Sequence, residues 1–394
     1  MTMSTLTSTD FLKKAVALAK QFSVDAAERD KAGGTAKIQK DAIRESGLLN
    51  ILIPKKYGGE GQTWSTVLQV VREIAKTDAS VAHLYGYHFL QLVTPHLCCS
   101  LEQKEFFYRE SARGNWFWGN CFNPLDKRLI GKKDGDSIIL NGTKTFSTGS
   151  QDADRLLLSW VWEADGQEIG AAAIPITRAG VNVHDDWDGI GQRQTDSGTV
   201  TFENAIVYPD EILDRTYSDS SVFATLDAVL SQIILANVFV GIAEGALADA
   251  KSYTKEKTRA WKASGVSKAT ADPYILRRYG DFWIQLQAAI SLVDKAGNKV
   301  DGAWERGHDL TKEERGEVVL HTGSANAFAS TVGLEITSGI FEVMGARSAA
   351  GEYGFDRYWR NIRTHTLHNP LEYKRKNIGN WYLNDEYPAP GAYS

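Results

Sequence analysis

The spacing of hydrophobic and polar positions changes period twice along the chain. Between residues 10 and 113 apolar residues recur at helical spacing, in "DFLKKAVALAKQF", "KIQKDAIRESGLLNILIP" and "WSTVLQVVREIAKTDASVAHLYGYHFLQLV", with Gly58, Gly59 and Gly61 breaking the middle. From about 114 to 214 the apolar runs shorten and tend to alternate, as in "SIILNGTKTFSTG", "RLLLSWVWEA" and "GTVTFENAIVYP", separated by Gly, Asp and Asn. Beyond about 220 the helical period returns over long segments, such as "FATLDAVLSQIILANVFVGIAEGALADAKSYTKEK". Helices of that length joined by short turns read as an antiparallel bundle. The pattern therefore predicts a mostly α chain with a central β-domain. Its parts are an N-terminal α-helical domain over 1–113, a small antiparallel β-domain over 114–214 and a C-terminal helical bundle over 215–394.

Composition agrees with several packed domains, since 394 residues exceed what one hydrophobic core usually supports. A net charge of -5 without long like-charge runs argues against a nucleic-acid partner and leaves small molecules and other proteins. Of the three cysteines, Cys98 and Cys99 are adjacent and Cys121 stands alone, which gives neither a disulfide framework nor a zinc spacing. A reducing, cytoplasmic setting is the expectation. The N-terminus has polar residues where a signal peptide needs an apolar run, and no 18-residue apolar stretch is read, so no membrane span is expected. No Gly-x-Gly-x-x-Gly follows a strand to open a helix, so reducing equivalents are expected from outside the chain.

The candidate chemistry concentrates in "RTHTLHNP" at 363–370, where His365 and His368 are three residues apart and would share one helix face. Near neutrality an imidazole both donates and accepts protons. A zinc site on this HxxH spacing lacks candidate third and fourth ligands, so no metal is expected. His83 and Tyr87, four apart, share a face in the N-terminal domain, and read either as a second wall of a pocket or as ordinary core polar residues. Asn120 and Asn369 add amide donors and acceptors.

The order of helices, β-domain and bundle, together with "SGLLNILIPKKYGGEG", "LNGTKTFSTGSQDAD" and "GIGQRQTDSGTVTFENAIVYPDEIL", resembles the acyl-CoA dehydrogenase fold across nearly the whole chain. The resemblance implies a flavin between β-domain and bundle, in a homotetramer whose neighbouring subunit completes the cofactor site. It also implies that Phe146, Ser147 and Thr148 touch the flavin, with Thr148 beside N5. Dehydrogenases of this kind carry a catalytic Glu in Tyr-Glu-Gly-Thr, whereas His368 and Asn369 hold the Tyr and Glu positions here. An amide does not ionise and cannot act as that base, although some members place the base on another helix.

A narrower resemblance rests on "AERDKAGG", "AHLYGYH" at 82–88, "NWFWGN" at 115–120, "DPYILRRYGDF" at 272–282, and "FEVMGARS" followed by "YGFDRYWRNIRTHTLHNP". These blocks are similar to two-component flavin monooxygenases that act on sulfur, typified by dibenzothiophene and methanesulfinate monooxygenases. Such enzymes take reduced FMN from a separate NAD(P)H-dependent flavin reductase and react it with dioxygen. One oxygen then passes from a C4a-hydroperoxyflavin to the substrate, which requires hydrogen-bond donors and excluded solvent. The resemblance implies catalytic roles for His83, Tyr87, Asn120, His365, His368 and Asn369. It implies FMN contacts from Asn120, His368 and the 146–148 hairpin, with Arg277 and Arg347 on the phosphate across a subunit boundary. A guanidinium fork suits that phosphate, and Arg278 and Arg193 read as surface residues instead. Tyr87, Phe122 and Arg128 are the implied substrate contacts. The stretch after Asn120 is shorter and more basic than in dibenzothiophene monooxygenases, with Lys127, Arg128, Lys132 and Lys133. A small alkanesulfinate such as methanesulfinate is therefore the expected substrate. A dibenzothiophene-type enzyme, an acyl-CoA dehydrogenase with a relocated base and a flavin-free scaffold are the alternatives.

Overall fold

A computed structural model describes residues 6–391 apart from 124, 165, 167 and 168. Six helices come first: α1 (Ser8–Phe22), α2 (Ala26–Ala32), α3 (Lys37–Ser46), α4 (Trp64–Ala75), α5 (Ala79–Cys98) and α6 (Leu101–Gly114). α5 is the unusual one, since every residue in it except His96 and Cys98 is buried. A helix apolar on all sides belongs in the middle of a core, and the polar rings it carries there must find partners inside. Asp78 caps its N-terminus, accepting from the Val81 amide at 3.0 Å, and the same carboxylate pairs with Arg29 at 2.5 Å. Arg29 in turn donates to the Gln194 side chain at 2.8 Å, so this cap ties the helical domain to the sheet domain.

Seven strands follow: β1 (Trp118–Cys121), β2 (Ile130–Asp134), β3 (Ser137–Lys144), β4 (Arg155–Trp162), β5 (Ile169–Pro175), β6 (Val181–Val183) and β7 (Val200–Val207). The pairs β2–β3, β3–β7, β4–β5 and β6–β7 are antiparallel as expected. The sheet is nevertheless mixed, because β1 and β2 both run parallel to β4 along one of its edges. The reason is connectivity: the long return after β3 brings the chain back to start β4 in the direction of β1, and a parallel pair needs such a crossover. A small core of Leu140, Leu156, Leu158, Trp160, Ile174 and Phe202 fills the curled sheet.

The C-terminal part holds α7 (Asp227–Glu256), α8 (Pro273–Arg306), α9 (Lys312–Met344), α10 (Asp356–Thr366) and α11 (Leu371–Asn384). The 223–256 segment reaches a mean hydropathy of 1.9 over 18 residues, long and apolar enough to cross a membrane, contrary to the reading of the sequence. Its apolar surface is covered by protein instead, with 83% of that window buried. α7 packs against α4, α5 and α9, and one continuous core joins the first helices to the last. Two glycines set the approaches that matter for the site. A methyl on Gly86 of α5 would stand 2.4 Å from Ile234 of α7, and one on Gly191 would stand 2.2 Å from the Arg360 carbonyl of α10. Gly86 thereby lets α5 approach α7, and Gly191 lets the loop before β7 approach α10.

Replacing Asp78 with Ala removes a helix cap and half of a buried ion pair. Loss of the cap costs about 1 kcal/mol, and leaving Arg29 with only its partly exposed partner Asp25 brings the total to about 3 kcal/mol. Urea unfolding should show this as a lower midpoint, with Asp78→Asn retaining part of it through its amide oxygen.

Candidate active site

His83 lies on the second turn of α5 and His365 on the last turn of α10. Although 282 positions apart, their rings meet with centroids 4.2 Å apart, and His83 Nδ1 is hydrogen-bonded to His365 Nε2. The outer nitrogens, His83 Nε2 and His365 Nδ1, are buried without a partner among the described residues. Burial pushes His83 down to about 3, helped by the His368 charge, and pushes His365 well below the ordinary range with His83 and His368 adding to the effect. Both rings are therefore neutral near pH 7. A neutral imidazole has one donor and one acceptor, so the pair forms a short chain that can take a proton at one outer nitrogen and give one at the other. Neither ring needs to hold a lasting charge.

Tyr87 stacks beside His83 at 4.1 Å and shares a hydrogen bond of 3.1 Å with Ser231 of α7, while Phe239 of α7 faces His365. His88, next on α5, is spent on structure: its Nε2 donates to the Leu49 carbonyl at 2.9 Å and its Nδ1 accepts from the Trp118 amide at 3.2 Å. α10 is held by the residues before its histidine. Arg360 reaches Asp30 at 2.5 Å and the Ile190 carbonyl at 2.8 Å, and the Asn361 side chain accepts from the Gln192 amide at 2.5 Å. Nothing in the sequence pattern singled out Ser231, Arg360 or Asn361; their partners are 144 or more positions away.

α10 ends at Thr366, so His368 stands in the turn that follows and is more exposed than His365, but close enough for its charge to act on both His83 and His365. Burial around that turn still lowers the His368 pKa, with Lys374 contributing. Asn369 is half-buried in the same turn, and its carbonyl lies 3.5 Å from the Lys374 ammonium.

On the sheet side, the Asn120 amide donates to the Thr148 carbonyl at 2.9 Å, while the Asn120 side chain accepts from the Phe122 amide at 2.7 Å. Thr148 is buried with its hydroxyl 2.9 Å from that of Ser197, and Ser147 is fully buried. Phe146, at φ 55°, stands out to solvent and meets Trp187 edge-on at 5.9 Å. Phe122 packs against the helical core. Lys144 pins the loop after β1 from below, donating to the carbonyls of Asn123 and Asp126 at 2.8 and 2.7 Å.

The basic residues sort differently from the sequence reading. Arg128 is exposed, and Asp126 holds its guanidinium with two bonds of 2.8 and 2.6 Å, so it does not present a free cation to a substrate. The loop backbone places Asp126 two residues earlier, where it also caps Thr145. Arg277 is exposed on the second turn of α8, with Asp281 at 3.9 Å. Arg347 is exposed after α9 and donates to the Lys257 carbonyl. Neither touches the histidine pair of its own chain. Arg278 is half-buried and bound to Glu335 and Glu342, and Arg193 is tied to the Asp30 carbonyl and Asp188.

With this geometry established, comparison with known proteins is decisive for class. Residues 7–115, 125–205 and 233–373 match the N-terminal, middle and C-terminal domains of acyl-CoA dehydrogenases. The chain is 44% identical to the probable FMNH2-dependent monooxygenase SfnC of Pseudomonas putida, over 96% of this chain and 95% of that one. It is 42% identical to the dibenzothiophene monooxygenase of Rhodococcus erythropolis, over 95% and 93% of the two chains. The crystal structure of methanesulfinate monooxygenase MsuC from Pseudomonas fluorescens superposes with a TM-score of 0.95 at 46% identity, covering 97% of this chain and 99% of that one. The chain belongs to the flavin-dependent monooxygenases built on the acyl-CoA dehydrogenase fold.

A histidine depressed in the folded state stabilises the protein above its unfolded pKa, and that stability is lost as pH falls. For His83 the window runs from about 6.5 down to about 3. At pH 5 its share amounts to about 2 kcal/mol. Denaturation curves at pH 7 and pH 5 should therefore converge by about that amount in His83→Gln relative to the parent. An unchanged difference would mean that His83 charges inside the folded protein.

Proposed function

We propose that the protein is the oxygenase component of a two-component system, transferring one oxygen from dioxygen to the sulfur of a small organosulfur compound with reduced FMN as reductant. The observation that carries this reading is the neutral, buried pair His83 and His365, whose two outer nitrogens have no partner among the described residues. Such a pair provides hydrogen bonding and proton transfer without a charge to attract water. Asn369, at the place where the related dehydrogenases put their catalytic carboxylate, offers no base for α-proton removal.

The residues present fit a flavin. The exposed Phe146 and neighbouring Trp187 offer aromatic surface beside the buried Ser147 and Thr148. The exposed Arg277 and Arg347 are available to a phosphate on an adjoining subunit, in keeping with a homotetramer. Bound reduced FMN supplies the two electrons that split dioxygen, so that a sulfinate, dioxygen and FMNH2 give a sulfonate, water and FMN. His83 and His365 hold the proton that the departing oxygen needs, and Tyr87, fixed by Ser231, closes the histidine pair from the side. A diffusing reduced flavin implies a separate NAD(P)H-dependent reductase, and the absence of a cysteine framework suits a cytoplasmic setting.

For the substrate we favour an alkanesulfinate, whose sulfur lone pair attacks an electrophilic oxygen. The likeness to the methanesulfinate monooxygenase MsuC supports this choice, and the similar likeness to dibenzothiophene monooxygenase keeps an aromatic thiophene as the second reading. Reductase-coupled turnover decides between them: methanesulfinate should be oxidised faster than dibenzothiophene, and efficient dibenzothiophene oxidation with no sulfinate activity would reverse the choice. His365→Gln should bind FMN like the parent while product formation falls by about a hundredfold and hydrogen peroxide rises. Unchanged product yield in that variant would remove the pair from the reaction.

A further inference from the structure

A second cavity lies outside the histidine pair. Between α7, α9 and α11 a space of about 20 Å³ is lined by apolar residues of these helices together with Gln232, Thr322, Lys374 and Asn377, and by Pro388 of the C-terminal segment. Lys374 is only 7% exposed, and no described carboxylate lies within ion-pair distance of it. Its one described hydrogen bond is the long contact to the Asn369 carbonyl. Thr322 is 2% exposed, and its hydroxyl oxygen has no partner among the described residues. Behind the same wall a second buried cation, Arg315, donates to the Pro388 carbonyl at 3.1 Å.

An ammonium buried without a counter-charge is costly, and here burial alone lowers the Lys374 pKa to about 8. That leaves it mostly protonated near neutrality. The cavity holds roughly one water-sized particle, too little for a sulfinate or a phosphate. The side chains of Gln232 and Asn377 line the same space. A cation and an unpartnered hydroxyl at a single-particle space are a donor set for a monatomic anion.

We propose that this cavity binds one halide-sized anion, held between the Lys374 ammonium and the Thr322 hydroxyl. The anion neutralises the charge that faces His368 and fastens the start of α11 to α9. It thereby steadies the turn that carries His368 and Asn369. Chloride is the natural occupant, and bromide serves as its probe.

Crystals of the full chain soaked in sodium bromide should show an anomalous peak in contact with both Lys374 and Thr322. In solution, the unfolding temperature should rise by about 2 °C in sodium bromide over sodium gluconate at equal ionic strength, as expected for a ligand near tenfold above its Kd. Lys374→Met and Thr322→Val should each abolish that increment, and the second variant keeps the test open if the first folds poorly. No anomalous peak in the parent, with water alone in the cavity, would overturn the proposal. So would a halide increment that both variants retain.

Discussion

The contact between His83 and His365 is the constraint around which the rest of the molecule is arranged. Two imidazoles are brought together by helices from opposite ends of the chain, in a place that strips both of water and keeps both neutral. Polar rings in such a place are tolerated only when their hydrogen bonds are made. The two inner nitrogens satisfy each other, and the two outer ones are left for whatever the site binds. Holding that arrangement explains why α5 is buried on all sides and why its cap, Asp78, is itself locked to Arg29. It also explains why α10 is bound to the first helices through Asp30 and to the sheet domain through Ile190 and Gln192.

The fold was legible in the sequence to the extent that it depends on local periodicity. Helical spacing marked both helical regions, and alternation marked the strands between them. What periodicity could not show was long-range placement. Strand direction is one case, since β1 and β2 lie parallel to β4 only because of where the chain returns after β3. The apolar run of α7 is another, because the same composition suits a membrane span or a core helix, and only its neighbours decide.

The candidate site was legible in its residue types and misread in its pairings. Sequence spacing joined His365 to His368, which stays near it in the turn after α10, but the direct hydrogen bond of His365 goes to His83. The true partner of His365 lies in another domain. Arg128 looked like a free cation because sequence does not reveal that Asp126, two residues earlier, closes a fork around it. Lys374, which no motif marked, is a buried cation with no described carboxylate within ion-pair distance.

The central claim is that the His83 and His365 pair stays neutral and hydrogen-bonded at working pH. Histidine-selective nitrogen-15 NMR measures it most directly, assigned with His83→Gln and His365→Gln. The account predicts that both rings keep the two distinct nitrogen shifts of a neutral imidazole from pH 8 to pH 5. Conversion of either ring to the imidazolium pattern with a midpoint near the ordinary value of about 6.5 would contradict it.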